Sequence, residues 1–148
     1  MREILFRGKS YDSGEWVYGN LRVSRLKDDP TDYVDIYPVN VGYPDFPMAE
    51  RVYPDTVGQF TGLLDKNGRK IFEGDIVCMN TGEDECSISV YAKVQSLPNG
   101  PCLRDRETDC FVSFDCVNFS RNAPRFWEVI GNIYDNPELL GGDNNGVY

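Results

Sequence analysis

Short stretches in which apolar and polar residues alternate with a period of two recur along this chain, predicting about eight β-strands and few helical turns. In the first, Arg2 to Arg7, Ile4 and Phe6 alternate with Glu3, Leu5 and Arg7. Tyr11-Asp12-Ser13-Gly14 reads as a turn, because Asp and Ser bond back to the backbone and Gly tolerates positive φ. Trp16 to Val23 resumes the extended pattern, so the chain opens on a hairpin. After a polar loop, Asp28 to Asp32, the segment Tyr33 to Val39 sets Val34 and Ile36 against Asp35 and Tyr37 until Pro38 interrupts it.

Pro38, Pro44, Pro47 and Pro54 deny a β-ladder its N–H groups, so residues 38–54 read as irregular loop with one helical turn around Met48-Ala49-Glu50. Val57 to Leu64 is extended and runs into Asp65-Lys66-Asn67-Gly68, where Asn-Gly favours a tight turn. Lys70-Ile71-Phe72, the tight pair Glu73-Gly74 and Asp75 to Met79 follow as strand, turn and strand. Thr81 to Glu85 is an acidic loop, Ser87 to Val94 a half-buried strand and residues 96–110 a longer loop. Cys110 to Phe119 and Phe126 to Tyr134 are strands, the second bulged at Gly131. Asn136-Pro137-Glu138-Leu139-Leu140-Gly141 has the N-cap, the proline and the glycine stop of a short helix, and residues 141–148 form a loose tail.

These elements predict a mainly-β fold with minor α content, in one domain spanning residues 1–148. A small barrel or sandwich is centred on residues 57–95 and closed by 110–134, and the N-terminal hairpin packs against it. Its sub-lobes are 1–56 and 57–140, followed by the tail. The predicted core is Ile4, Phe6, Trp16, Phe60, Ile71, Ile76, Val77, Val90, Val129, Ile130 and Ile133.

Composition narrows the function. Fifteen Lys and Arg against twenty-four Asp and Glu give a net charge of −9, and both halves of the chain are acidic. A nucleic-acid partner is therefore the less favoured one, because phosphates call for a basic surface. No stretch approaches the apolar length of a membrane span, and the opening residues lack the apolar core of a signal peptide, so the protein is expected to stay in the cytoplasm. Five cysteines without a C-x-x-C pair point to free thiols, and Cys78, Cys110 and Cys116 read as small buried hydrophobes. The chain has no histidine, which removes Ser–His–Asp and Cys–His catalysis and the common zinc and non-haem iron ligand sets. No cofactor is expected.

Among the candidate motifs, Asp65, Asn67, Glu73 and Asp75 place oxygen ligands close together, but an EF-hand counted from Asp65 meets Arg69, Lys70 and Ile76 at three required positions. Asp65, Asn67, Gly68, Glu73, Gly74 and Asp75 are therefore read as turn formers. The carboxylates of Thr81 to Glu85 and Arg104 to Asp109 lie in polar sequence, where nothing raises their pKa for acid–base work. Arg121, Arg125, Phe126 and Trp127 combine guanidinium and ring chemistry suited to stacked bases or to a protein hot spot, with a core role for the aromatics as the plainer alternative. Tyr33, Tyr37, Tyr43, Phe46 and Tyr53 concentrate aromatic area around the Pro-rich loop, which suits partner or subunit binding.

Three blocks carry a family resemblance. They are Arg2 to Arg7 with Trp16 to Leu21, then Val57 to Leu63 running into Asp65 to Val77, and Val129 to Leu140. Together they resemble the YopX family, over the length of the chain. The resemblance implies a phage or prophage protein expressed in the bacterial cytoplasm, with a β-rich fold, and it implies no catalytic residues. Residues 38–53 and 96–110 depart from the family pattern.

The leading expectation is a non-enzymatic accessory protein that binds protein, itself included as a homo-oligomer. Its candidate contact residues are Tyr37, Tyr43, Phe46, Tyr53, Arg121, Arg125 and Trp127. The alternatives are a single-stranded nucleic-acid binder using residues 121–127, and a carboxylate- or Mg²⁺-dependent enzyme acting on nucleotides, which requires Asp65, Glu73, Asp75 and Asp115 to converge.

Overall fold

The computed structural model describes residues 3–39, 48–80, 89–97, 100–105, 111–113 and 127–141. The chain divides into two compact units, Met1–Phe60 and Thr61–Tyr148. Each is built on antiparallel sheet.

The first unit contains β1 (Phe6–Lys9), β2 (Trp16–Arg25), β3 (Asp32–Pro38), β4 (Glu50–Arg51) and the opening residues of β5 (Gly58–Leu64), in the order β4-β3-β2-β1-β5. The β1–β2 turn is tied by Ser10, whose hydroxyl oxygen accepts from the Asp12 and Ser13 amides, while Gly14 turns the chain at φ 71°. The β2–β3 register runs from Gly19↔Pro38 to Arg25↔Asp32. A two-residue side-chain period then sets Leu21 against Ile36 and Val23 against Val34 on one face, with Arg22 against Asp35 on the other. Val17, Val34, Ile36 and Val52 form the core, with Leu21 and Val57 against it. Each such aliphatic contributes about 1.5–3 kcal/mol when fully buried.

The second unit takes the end of β5, pairs it with β6 (Lys70–Phe72), and adds a five-stranded sheet. That sheet comprises β7 (Asp75–Asn80), β8 (Ser89–Leu97), β9 (Gly100–Asp105), β10 (Phe111–Ser113) and β11 (Trp127–Asn132), in the order β10-β9-β8-β7-β11. Registers Val77↔Ala92, Val94↔Leu103 and Val129↔Val77 gather these apolar residues on one face. With Ile71 and Trp127 they form the second core, against which Leu63, Met79 and Val90 pack. The expected bulge lies between Val129 and Gly131.

The mainly-β expectation holds, and several details differ. The first strand has the opposite phase: Leu5 and Arg7 are buried, and Ile4 is 66% exposed. A strand slipped by one residue swaps every side chain between faces. Arg7, which alternates with Ile4 and Phe6 in the sequence, places its guanidinium 4.5 Å from the centroid of the Trp16 ring. Phe6, Trp16, Ile130 and Ile133 are half-buried, whereas Phe60, Ile71, Ile76, Val77 and Val129 are buried as expected. Much of the predicted loop 96–110 is sheet, because β8 continues to Leu97 and turns back as β9. Pro101 lies in β9 opposite Ser96 of β8. No helix forms at Met48 to Glu50; Glu50 opens β4, and a 3-10 turn forms at Pro54–Thr56 instead. The C-terminal helix is a 3-10 turn, Pro137–Leu140, stopped by Gly141 at φ 64°, and Asn136 does not cap it. Both sheets run edge to edge, with no closed barrel among the described residues.

Candidate functional site

The most organised polar surface in the first unit lies on the side of β2, β3 and β4 away from Val34 and Ile36. Alternation along β3 brings Tyr33, Asp35 and Tyr37 to this side. Register then sets Arg22 of β2 opposite Asp35 from one flank and Arg51 of β4 opposite it from the other. Arg22 Nη2 donates to Asp35 Oδ2 at 3.1 Å, and Arg51 Nε donates to Oδ1 at 3.0 Å. Each guanidinium also meets a ring, Arg51 over Tyr33 at 4.5 Å and Arg22 over Tyr37 at 5.4 Å. Arg22 Nη1 donates to the Tyr37 hydroxyl at 2.7 Å, and the Tyr33 hydroxyl donates to Asp29 Oδ2 at 2.6 Å. At the far end of the ladder, on the Val34 side, Arg25 pairs with Asp32.

The electrostatics follow from these contacts. Burial pushes the Asp35 carboxyl up, but the hydrogen bonds and charges of Arg51 and Arg22 outweigh it and hold the group below its usual range. The hydrogen bond from Tyr33 lowers Asp29, and the same bond raises the Tyr33 phenol. Both arginine side chains are about half exposed, 54% and 47%, so solvent screens them and each ion pair contributes on the order of 1 kcal/mol or less. What the network provides is fixed position. Arg51 uses only Nε on Asp35, so its terminal amino groups remain as outward donors beside a ring.

A second aromatic feature stands nearby in sequence. Tyr11 and Tyr53 stack with centroids 3.9 Å apart, each ring partly exposed. Backbone bonds from Tyr11 N to Arg51 O and from Tyr53 N to Lys9 O hold the pair.

Of the predicted contact residues, Tyr37 belongs to the arginine–tyrosine face and Tyr53 to the stacked pair. Tyr43, Phe46, Arg121 and Arg125 lie outside the described residues. Trp127 is corrected: at 3% exposure it is part of the second core and offers no ring to a partner. Its neighbours in β11 pair with β7, and the apolar phase of that strand drew it inward. Arg22, Asp35 and Arg51 were missed. Their phase within β2 and β3 was readable, but the register that joins them across three strands was not.

The turn carboxylates lie in the second unit. Asp65 is buried, and its Oδ1 accepts from the Asn67 and Arg69 amides at 2.8 and 2.9 Å. Its Oδ2 accepts from Val129 N at 3.0 Å, so this one side chain ties the β5–β6 turn to β11. Gly68 and Gly74 adopt φ of 81° and 86°, which only glycine takes readily. Asp75 Oδ2 accepts from Phe72 N at 2.7 Å across the Glu73-Gly74 turn. Asp115 lies outside the described residues, and among those described no three His, Cys, Asp or Glu side chains gather as a metal site. No described helix is long and apolar enough to cross a membrane.

Fold and surface together define an antiparallel β-sheet scaffold that carries a preorganised arginine–tyrosine face. The chain belongs to the YopX protein family, whose profile matches residues 5–141. Among solved structures, protein EF1440 from Enterococcus faecalis is similar in fold, with a TM-score of 0.51 and 21% identity over 95% of this chain and 99% of that one. No curated protein matches the chain.

Proposed function

We propose that the chain is a non-enzymatic protein-binding module that docks partners, a second copy of itself among them, on the outer face of β2, β3 and β4. The observation that carries this reading is the Tyr33–Arg51–Asp35–Arg22–Tyr37 network. Tyr and Arg dominate the energetics of protein interfaces, and side chains already fixed lose little entropy on docking. Tyr18, exposed on the Arg22 side of β2, adds contact area without catalytic chemistry. The bacterial cytoplasm implied by the family resemblance is part of this reading.

The test combines sedimentation velocity over a wide concentration range with a photo-crosslinking residue at Tyr18, which is exposed and pairs with Arg7 across the hairpin. Wild type should self-associate, and Arg51→Ala should weaken association about thirtyfold or more, the effect of losing a hot-spot side chain. A chain that stays monomeric at every concentration and forms no crosslink, with itself or in bacterial lysate, overturns the reading.

A further inference from the structure

The hairpin of β2 and β3 outruns the strand beside it. β1 pairs with β2 only from Trp16 to Gly19, whereas β3 follows β2 as far as Arg25. Beyond Gly19, one edge of β2 therefore has no strand paired to it among the described residues. The phase of the ladder fixes which backbone groups face that edge. Val39 N donates to Tyr18 O, which puts Asn20, Arg22 and Ser24, at the same two-residue period, in the hydrogen-bonded pairs with β3. Val34, opposite Val23, gives its carbonyl to Val52 N on its far side instead. Val23 and Arg25 thus turn both N–H and C=O away from β3, and no described backbone group meets them there.

An open edge invites a further strand, and proteins guard such edges with free charge, proline or a bulge. None of these guards this one. The stretch from Leu21 to Arg25 has no proline, and its register with β3 is unbroken. Arg22 is neutralised by Asp35 and Arg25 by Asp32, each within its own hairpin. Val23 is left 57% exposed beside the open groups.

We propose that this edge of β2 is an interaction surface for a second copy of the chain, paired antiparallel about a two-fold axis at Ser24 so that two sheets become one. Self-complementarity is what points to a copy. In that register Val23 stands opposite Arg25 of the second copy and Ser24 opposite its own counterpart, so no like charges meet directly. The aliphatic stem of each Arg25 covers an exposed Val23, and the outward N–H and C=O groups of both residues find partners. The contact uses the edge of β2 and does not depend on the outer face proposed for docking, so either can fail alone.

The experiment puts a thiol on the axis of the full chain. Ser24→Cys sets two thiols across a non-hydrogen-bonded pair, where Cα atoms lie about 4.5 Å apart, within reach of a disulfide. In a glutathione redox buffer a dimer linked through residue 24, located by non-reducing peptide mapping, should form about tenfold faster than one through Lys27→Cys, which is exposed but off the axis. Adding Val23→Pro should slow that linkage by at least about tenfold, because the N–H it removes makes no bond to β3 and serves only the edge. Adding Arg51→Ala should leave the rate unchanged. In wild type, hydrogen exchange at the Val23 and Arg25 amides should slow as protein concentration rises, a readout that stands even if a variant fails to fold. Equal crosslinking at residues 24 and 27, an equal rate with Val23→Pro, or exchange that ignores concentration overturns the edge pairing. A rate that falls with Arg51→Ala overturns it equally and assigns the contact to the outer face.

Discussion

Replacing Asp65 by Ala isolates what this carboxylate does. In the native turn it accepts three backbone N–H groups, those of Asn67, Arg69 and Val129. The Asn67 and Arg69 amides lie in an exposed turn and can recover water, so each lost bond costs about 0.5–1.5 kcal/mol. Val129 is buried in the sheet, and its stranded donor costs about 1–3 kcal/mol. Together the substitution should destabilise the second unit by about 2–6 kcal/mol, large for a domain whose whole stability is about 5–15 kcal/mol. Asp65→Asn, which keeps one carbonyl acceptor, should fall between Ala and wild type. The assay is guanidinium denaturation followed by Trp127 fluorescence in a Trp16→Phe background, so that the one remaining tryptophan reports on the second unit. The midpoint should drop by about 1 M. A loss below about 1 kcal/mol, with unchanged m, would refute the reasoning and return Asp65 to the pool of carboxylates available for chemistry.

Three further outcomes follow from the same geometry. Gly19→Ala would push a methyl group into the carbonyl oxygen of Tyr37 on the neighbouring strand. It should lower the stability of the first unit by about 1–3 kcal/mol, read as a drop in Tm, and a neutral result contradicts the close approach of β2 and β3. Because the Asp35 pKa is depressed, its contribution is present above the unfolded value near 3.8 and is lost as pH falls through the lower folded value. Asp35→Asn should therefore flatten the acid limb of a stability–pH curve below about pH 4, and an unchanged limb contradicts the network. Cys78 and Cys102 are free thiols raised first by burial, so both should alkylate slowly in the native state, with Cys102, the more enclosed, slower. Peptide mapping after timed iodoacetamide exposure checks the order.

Legibility divided along one physical line. Whatever depended on local chemistry was readable: the glycine corners at Gly68 and Gly74, the stop at Gly141, the bulge beside Gly131, the apolar phase of β3 and the burial of Ile76 and Val77 in β7. Whatever depended on a partner strand was not. The sequence placed Ile4 and Phe6 on the core face of the first strand, but Leu5 and Arg7 are the buried ones, with the Arg7 guanidinium over Trp16. Asp35 alternates with Val34 and Ile36 in the sequence, which gives no sign that two arginines from different strands converge on it. Gly100 and Pro101 suggested a loop, yet the pairing of β8 with β9 includes both in the ladder. Register is a property of two segments, and no single stretch of sequence contains it.

The Asp65 turn also bears on how this protein ages. Asn followed by Gly is the dipeptide most prone to deamidate, because the glycine amide nitrogen attacks the asparagine side-chain carbonyl, expels ammonia and closes a succinimide. Here the Gly68 nitrogen donates to Asp65 O at 3.0 Å, and the Asn67 side-chain amide donates to Glu128. Both groups are thus engaged in hydrogen bonds that must break before the succinimide can close. Long storage should leave Asn67 intact in the wild type, and loosening the corner should start its conversion to aspartate and isoaspartate, visible by peptide mapping.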